Sequence, residues 1–121
     1  WQARASGARA MAAYLLAIEA DARIGQHAGG WWQKVGFHPT GVVGVFGAAL
    51  AAGYLHGHDA ASLAHAQGLA LSMASGSMEF LEDGAWTKRF HPGWTAASLA
   101  AHGFQSPQRA FEGRFGLFHA Y

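Results

Sequence analysis

The sequence predicts an all-α protein, an Ala/Gly-rich helical bundle, and three observations support this fold class. Apolar residues recur at three- and four-residue steps in several segments, as they do along one face of a helix. No segment shows the sustained alternation of apolar and polar residues that marks a half-buried strand. Hydrophobic residues make up 51% of the chain and charged residues only 12%, with 17 glycines among the 121 residues. Such a chain suits one domain, residues 1–121, with a modest core.

The first predicted helix begins after Ser6, a residue type that caps helix N-termini, and runs to about Ile24. Gly25 is expected to end it, and residues 25–36 are expected to form a connector that carries Trp31 and Trp32. One face of this helix is apolar: Met11, Tyr14, Leu15, Ile18 and Ala22.

The second predicted helix starts at Pro39, a residue favoured in the first turn, and runs to about His56. Its apolar residues have helical spacing: Val42, Val43, Phe46, Leu50 and Leu55. The run of residues 42–46 could also be a strand, but its Ala-rich continuation favours a helix. Gly41, Gly44 and Gly47 do not match a phosphate-binding loop because no strand precedes them, so they indicate close helix packing.

Three further helical segments are predicted toward the C-terminus. Asp59 is expected to cap a helix from about Ala60 to Ser75, and a polar connector follows it. A shorter helix is expected from Pro92 to His102, and another turn of helix from Ser106 to about Gly113. The apolar residues 115–121 are expected to be helical or irregular.

Composition excludes several classes of function. The net charge of +1 gives no electrostatic basis for binding nucleic acid, and the absence of cysteine excludes disulfides and thiolate chemistry. The absence of cysteine is compatible with the cytoplasm, which is the compartment we expect. Residues 35–58 lack acidic and basic side chains, but their histidines, proline and glycines argue against a membrane span. The high apolar content predicts that the chain hides part of its surface against more of its own protein or against a second copy of itself.

Two similar tripeptides suggest an anion-binding site: Phe37-His38-Pro39 and Phe90-His91-Pro92. In each, histidine lies just before a predicted helix, whose N-terminal N–H groups and dipole attract carboxylate or phosphate. Histidine there can donate a hydrogen bond or move a proton. The alternative is that the imidazole only caps the helix backbone.

The tripeptide Thr87-Lys88-Arg89, directly before Phe90, adds two cationic side chains to the polar connector. Together they could hold a multiply charged anion, since arginine makes two-pronged contacts and lysine acts as a point charge. The alternative is a solvated loop in which the cations pair with Glu82 and Asp83.

Metal binding is the least favoured interpretation. His56, His58 and His65 do not supply the three or four converging ligands that a structural zinc ion requires, so we predict no metal. The tryptophans are expected in the core or in an interface, because no basic stripe accompanies them.

Three motifs resemble the MmgE/PrpD family, which includes 2-methylcitrate dehydratases, cis-aconitate decarboxylases and iminodisuccinate epimerases. They are Gly36-Phe37-His38-Pro39-Thr40-Gly41, the segment from Ala74 to Trp94, and Phe111-Glu112-Gly113-Arg114-Phe115-Gly116. The resemblance covers nearly the whole chain. It implies that the chain is a fragment of that family's large helical domain, that the family's lid domain is absent from these residues, and that the protein forms a homodimer.

The resemblance also implies cofactor-independent chemistry on small di- or tricarboxylates: loss of water, loss of CO₂ or epimerisation. By the family pattern His38 and Lys88 are catalytic, and Arg89, His91 and Thr87 are substrate-binding candidates beside them. The helix after Gly93 is about two turns shorter than in the family pattern, and other site segments are expected outside these residues. We therefore predict little or no activity for this chain alone. The alternative is a non-catalytic helical oligomerisation module derived from such an enzyme.

Overall fold

The computed structural model describes residues 3–75, 93–105, 109–112 and 117–120. These residues contain helices and turns and no extended strand, which confirms the predicted all-α class. The helices are α1 (Gly7–Ala28), α2 (Trp31–Lys34), α3 (Pro39–Leu55), α4 (Ala60–Met73), α5 (Gly93–Ala101) and α6 (Leu117–Ala120).

Helix α3 is the centre of the bundle, since α1, α4 and α5 all pack against it. Its side chains are the most buried in the described part of the chain, and Val42, Val45 and Phe46 are almost inaccessible to solvent. The Phe46 ring also contacts the Phe111 ring, with centroids 4.9 Å apart. Most other core positions are alanines, so the helices lie close together while each residue buries little area.

Helix α1 starts as predicted but ends later. The Ser6 hydroxyl accepts a hydrogen bond from the Arg9 N–H at 3.3 Å, which confirms the predicted cap. The predicted end at Gly25 is wrong: the helix continues to Ala28, and Gly29 adopts the left-handed conformation with φ 54°. A glycine inside a helix costs only about 1 kcal/mol, whereas the left-handed C-terminal position selects glycine strongly. Gly29 therefore sets the end.

The large apolar side chains of α1 lie on its outer side. Met11, Tyr14, Leu15 and Ile18 are 58%, 59%, 59% and 48% exposed. The inner side instead carries small residues and Ile24, with Ala13 only 2% exposed. The face that the apolar periodicity marks is thus not the face that packs on α3.

The remaining helices agree with the sequence except at their ends and except for α2, which was expected to be part of a connector. Helix α2 lies inside the predicted connector, and α4 ends at Met73, two residues before the predicted end. The Asp59 carboxylate accepts from the Ser62 N–H at 2.8 Å, so the predicted cap of α4 is confirmed. Helix α5 falls within the predicted 92–102 segment. Of the turn predicted at residues 106–113, the structure describes only 109–112.

Two glycines allow close contacts with α3. A Cβ at Gly93 would lie 2.5 Å from the Val45 carbonyl oxygen and 2.7 Å from the Ala49 nitrogen, so α5 begins directly against the α3 backbone. A Cβ at Gly47 would overlap the Asp21 carboxyl group, whose Cγ would be 2.6 Å away. The close-packing interpretation is confirmed at Gly47. None of the helices in the described part of the chain has the length and hydropathy of a membrane-spanning segment.

Candidate functional site: a histidine at the start of α3

The corner between α2 and α3 determines where His38 lies. The Phe37 N–H donates to the Trp32 carbonyl at 2.8 Å and the Gly36 N–H donates to the Gln33 carbonyl at 3.3 Å. These two bonds, with Gly36 at φ 86°, form a Schellman motif that ends α2. Trp32 is only 3% exposed and anchors the corner in the core. The chain is thereby fixed up to the residue before His38.

His38 is the N-cap residue of α3. Its backbone is extended, with φ −77° and ψ 114°, because the following Pro39 disfavours a helical conformation at this position. Its carbonyl accepts the first bonds of the helix, from Gly41 at 2.9 Å and Val42 at 3.2 Å. Two rigid helix ends therefore hold the His38 backbone.

The His38 imidazole does not cap the helix, since its side chain makes no capping hydrogen bond. This excludes the capping interpretation offered by the sequence. The residue is half-buried, and its Nε2 atom is shielded from solvent. The first turn of α3 contains no acidic residue. An anion beside this turn would meet the positive end of the α3 dipole without a competing carboxylate on the same turn.

The other predicted site residues fall outside the described part of the chain: Thr87, Lys88, Arg89 and His91 all belong to residues 76–92. Gly93, however, is fixed against Val45 on α3. Seven residues of helix separate His38 from Val45, a rise of about 10 Å. The five residues from Lys88 to Gly93 can span up to about 17 Å. Chain length therefore permits the two predicted catalytic residues to meet.

Asp21 is a half-buried acid that no motif in the sequence marks. Its Oδ1 atom accepts a hydrogen bond from the Gly47 N–H at 2.9 Å, inside the α1–α3 contact. Burial raises the pKa of this carboxyl group to about 6, although the hydrogen bond from Gly47 acts in the opposite direction. The spacing in the sequence could have indicated this position of Asp21. Asp21 precedes the buried Ile24 by three residues and therefore lies on the same side of the helix.

The histidines near the far end of α3 line a small cavity. His56, His58 and His102 surround a volume of about 190 Å³ together with Trp94, whose ring stands edge-on to His56 at 6.2 Å. The described part of the chain contains no group of three or more His, Asp or Glu residues arranged to hold a metal ion. About 25 Å of helix separates this cavity from His38.

Comparison with known families identifies the chain. The sequence model of the MmgE/PrpD N-terminal domain matches residues 1–121, which is the full length of the sequence. The chain belongs to the MmgE/PrpD family. The resemblance in the three motifs is thereby confirmed, and the all-α fold agrees with it. No curated protein matches the chain at a significant level.

Proposed function

We propose that this MmgE/PrpD chain contributes part of a carboxylate-binding active site, in which His38 and Lys88 act on a small di- or tricarboxylate. The reaction class is a cofactor-independent elimination or isomerisation, as in a 2-methylcitrate dehydratase. Thr87, Arg89 and His91 are the additional substrate-binding candidates. The observation that carries the proposal is the position of His38 at the acid-free N-terminal turn of α3, with an imidazole that does not cap the helix.

The electrostatics of this turn support carboxylate as the ligand. Helix N-termini attract anions through their N–H groups and dipole. Lys88 would add a full positive charge, and a carboxylate held between an ammonium group and an imidazole places a proton donor beside the substrate carbon. Proton transfer requires groups that converge precisely on the substrate. We therefore propose His38 and Lys88 mainly as a carboxylate-binding pair, and as a catalytic pair only where the remaining groups of the site converge with them.

Isothermal titration of the 121-residue chain with cis-aconitate and with 2-methylcitrate tests this proposal. We expect a measurable heat of binding that weakens at least about tenfold in Lys88→Ala, equivalent to about 1.4 kcal/mol. Lys34→Ala is the matched control, because Lys34 is the only other lysine in the sequence and its change should leave binding intact.

His38→Asn removes the imidazole but should preserve the start of α3, because asparagine is a good N-cap residue. We expect this variant to unfold at a urea concentration no lower than that of the native chain, since asparagine can add a capping bond that the imidazole does not make, but to lose carboxylate binding. A folded native chain that gives no heat with either compound would contradict the proposal.

A second candidate function is helical assembly without chemistry, and the exposed apolar side of α1 favours it. Such surfaces mark interaction sites in folded proteins. Light scattering that shows a homo-oligomer, a dimer in the simplest case, would support this candidate. A strictly monomeric chain at high concentration would contradict it and leave the carboxylate proposal standing.

A further inference from the structure

The cavity at the C-terminal end of α3 has an apolar wall and a few polar atoms. The apolar wall consists of an aromatic ring and three alanines: Trp94, Ala52, Ala97 and Ala101. The polar side comes from three histidines and a serine: His56, His58, His102 and Ser98. A cavity of roughly 150 Å³ already accepts benzene, so a volume of about 190 Å³ accommodates one aromatic ring with a small substituent.

His102 supplies a hydrogen-bond acceptor to this cavity. Its Nδ1 atom lies 2.8 Å from the Ser98 carbonyl oxygen, one turn earlier on α5. Because a carbonyl oxygen can only accept, Nδ1 carries the proton of the neutral ring. The other ring nitrogen, Nε2, is therefore left with a lone pair that can accept a hydrogen bond.

His58 supplies a donor. Its Nδ1 atom is buried against Gly53, where a Cβ would lie 3.0 Å away, and it has no hydrogen-bond partner among the residues that the structure describes. A buried N–H group without an acceptor is rarely tolerated, so we assign the proton of the neutral ring to Nε2. Because Nδ1 is shielded, Nε2 is the ring nitrogen with which His58 can meet a ligand.

The electrostatics of the cavity disfavour an anion. Helices α3 and α5 both end here, at Leu55 and Ala101, and helix C-termini carry partial negative charge. The Asp59 carboxylate, next to His58, adds a negative charge nearby. None of the lining residues in the described part of the chain is lysine or arginine. A ligand that donates a hydrogen bond and carries no negative charge therefore fits best.

We propose that this cavity binds a small neutral aromatic molecule that carries one hydroxyl group, of which phenol is the simplest example. The ligand ring packs beside Trp94 and the alanines. Its hydroxyl group donates to Nε2 of His102 and accepts from Nε2 of His58. The site lies at the opposite end of α3 from His38, so it is independent of the proposed carboxylate site.

Three probe molecules separate the contributions of shape, hydrogen bonding and charge. For phenol we expect a dissociation constant on the order of 0.1–1 mM, in keeping with its seven non-hydrogen atoms. Toluene has the same shape but would leave both histidines without a partner, so it should bind at least about fivefold more weakly. Benzoate should bind at least about tenfold more weakly than phenol, because its charge is repelled by the two helix ends.

NMR titration of the uniformly ¹⁵N-labelled 121-residue chain locates and measures the binding. We expect saturable shifts at the backbone amides of Ala97, Ala101 and His102 and at the indole N–H of Trp94, which Trp94→Phe identifies. Amides in the middle of α1 should not shift. The absence of saturable shifts at the cavity amides with 10 mM phenol would overturn the proposal, as would benzoate that binds as tightly as phenol.

Ala101→Leu tests whether the ligand occupies the cavity. Ala101 is exposed at its edge, so the larger side chain can fill the space without overpacking the core. We expect phenol and toluene to bind at least about tenfold more weakly. Ala22→Leu, a change at an equally exposed alanine of α1, is the matched control and should leave binding intact. Unchanged phenol binding in Ala101→Leu would place the ligand elsewhere and refute the proposal.

His102→Phe tests recognition of the hydroxyl group. His102 is exposed, and phenylalanine keeps a ring at this position but removes the acceptor, so circular dichroism should show the variant folded. We expect the preference for phenol over toluene to disappear while toluene still binds. A native chain that binds toluene as tightly as phenol, or a variant that keeps the full preference, would contradict hydrogen bonding by His102.

Discussion

Replacing Asp21 by Asn should make the protein more stable at neutral pH. In the folded chain the pKa of Asp21 is raised from its usual 3.8 to about 6, mainly because burial penalises the charged carboxylate. A group whose folded pKa is raised contributes stability below its unfolded pKa, and this contribution is lost as pH rises through the folded pKa. The native protein therefore loses stability from Asp21 between about pH 4 and pH 6.

The pKa difference sets the magnitude. The full shift in the pKa of Asp21 corresponds to a free-energy difference of about 3 kcal/mol between its two protonation states. Since Asp21 is only half-buried, water screens part of this cost, and we expect about 1–2 kcal/mol. Asparagine cannot ionise, but its carbonyl oxygen can still accept the hydrogen bond from the Gly47 N–H. The Asn variant should thus keep the α1–α3 contact without the charge.

Urea unfolding followed by circular dichroism, at constant ionic strength from pH 4 to pH 7.5, measures this effect. The stability of the native chain minus that of Asp21→Asn should fall as pH rises through about 5. The eight histidines are common to both proteins and cancel in the difference. Asp59→Asn is a control that should give a flat difference over this range, because hydrogen bonds from Ser62 lower the pKa of Asp59 below its usual 3.8 and its contribution changes only at lower pH. Parallel curves for the native chain and Asp21→Asn would refute the reasoning.

Three glycine substitutions test the contact of α5 with α3, the helix propensity of α1 and the left-handed turn before α3. Gly93→Ala should destabilise the protein by about 1–3 kcal/mol, because the new methyl group would press on the backbone of α3 rather than on a movable side chain. Gly25→Ala, with nothing within 4 Å of its new Cβ, should instead stabilise α1 by up to about 1 kcal/mol in urea unfolding. Gly36→Ala should cost about 1–2 kcal/mol, since φ 86° disfavours any residue with a Cβ. An unchanged unfolding midpoint for Gly93→Ala would contradict the close contact with α3, and one for Gly36→Ala would contradict the left-handed conformation at that residue.

The candidate site was predictable where its geometry is local. Gly36, Phe37, His38 and Pro39 occupy consecutive positions of a helix end and the next helix start, so their conformations follow from residue type. Asp21 was not predictable in this way. Its pKa is raised by burial between α1 and α3, where Gly47, 26 residues away in the sequence, becomes its neighbour only when the two helices pack together. Whether His38 and Lys88 converge remains the prediction that titration will test.

Residue preferences along the chain are enough to predict the helical class, the helix starts at Ser6, Pro39 and Asp59, and the MmgE/PrpD family. Capping and proline preferences act over a few residues, and they hold whatever the helix packs against. The buried side of α1, by contrast, follows from how α1 packs on α3. Helix α3 presents Gly47 to α1, and close approach there favours the side with alanines over the side with Met11 and Leu15. Apolar periodicity shows that a helix has an apolar face, but the shape of its neighbour selects the face that packs.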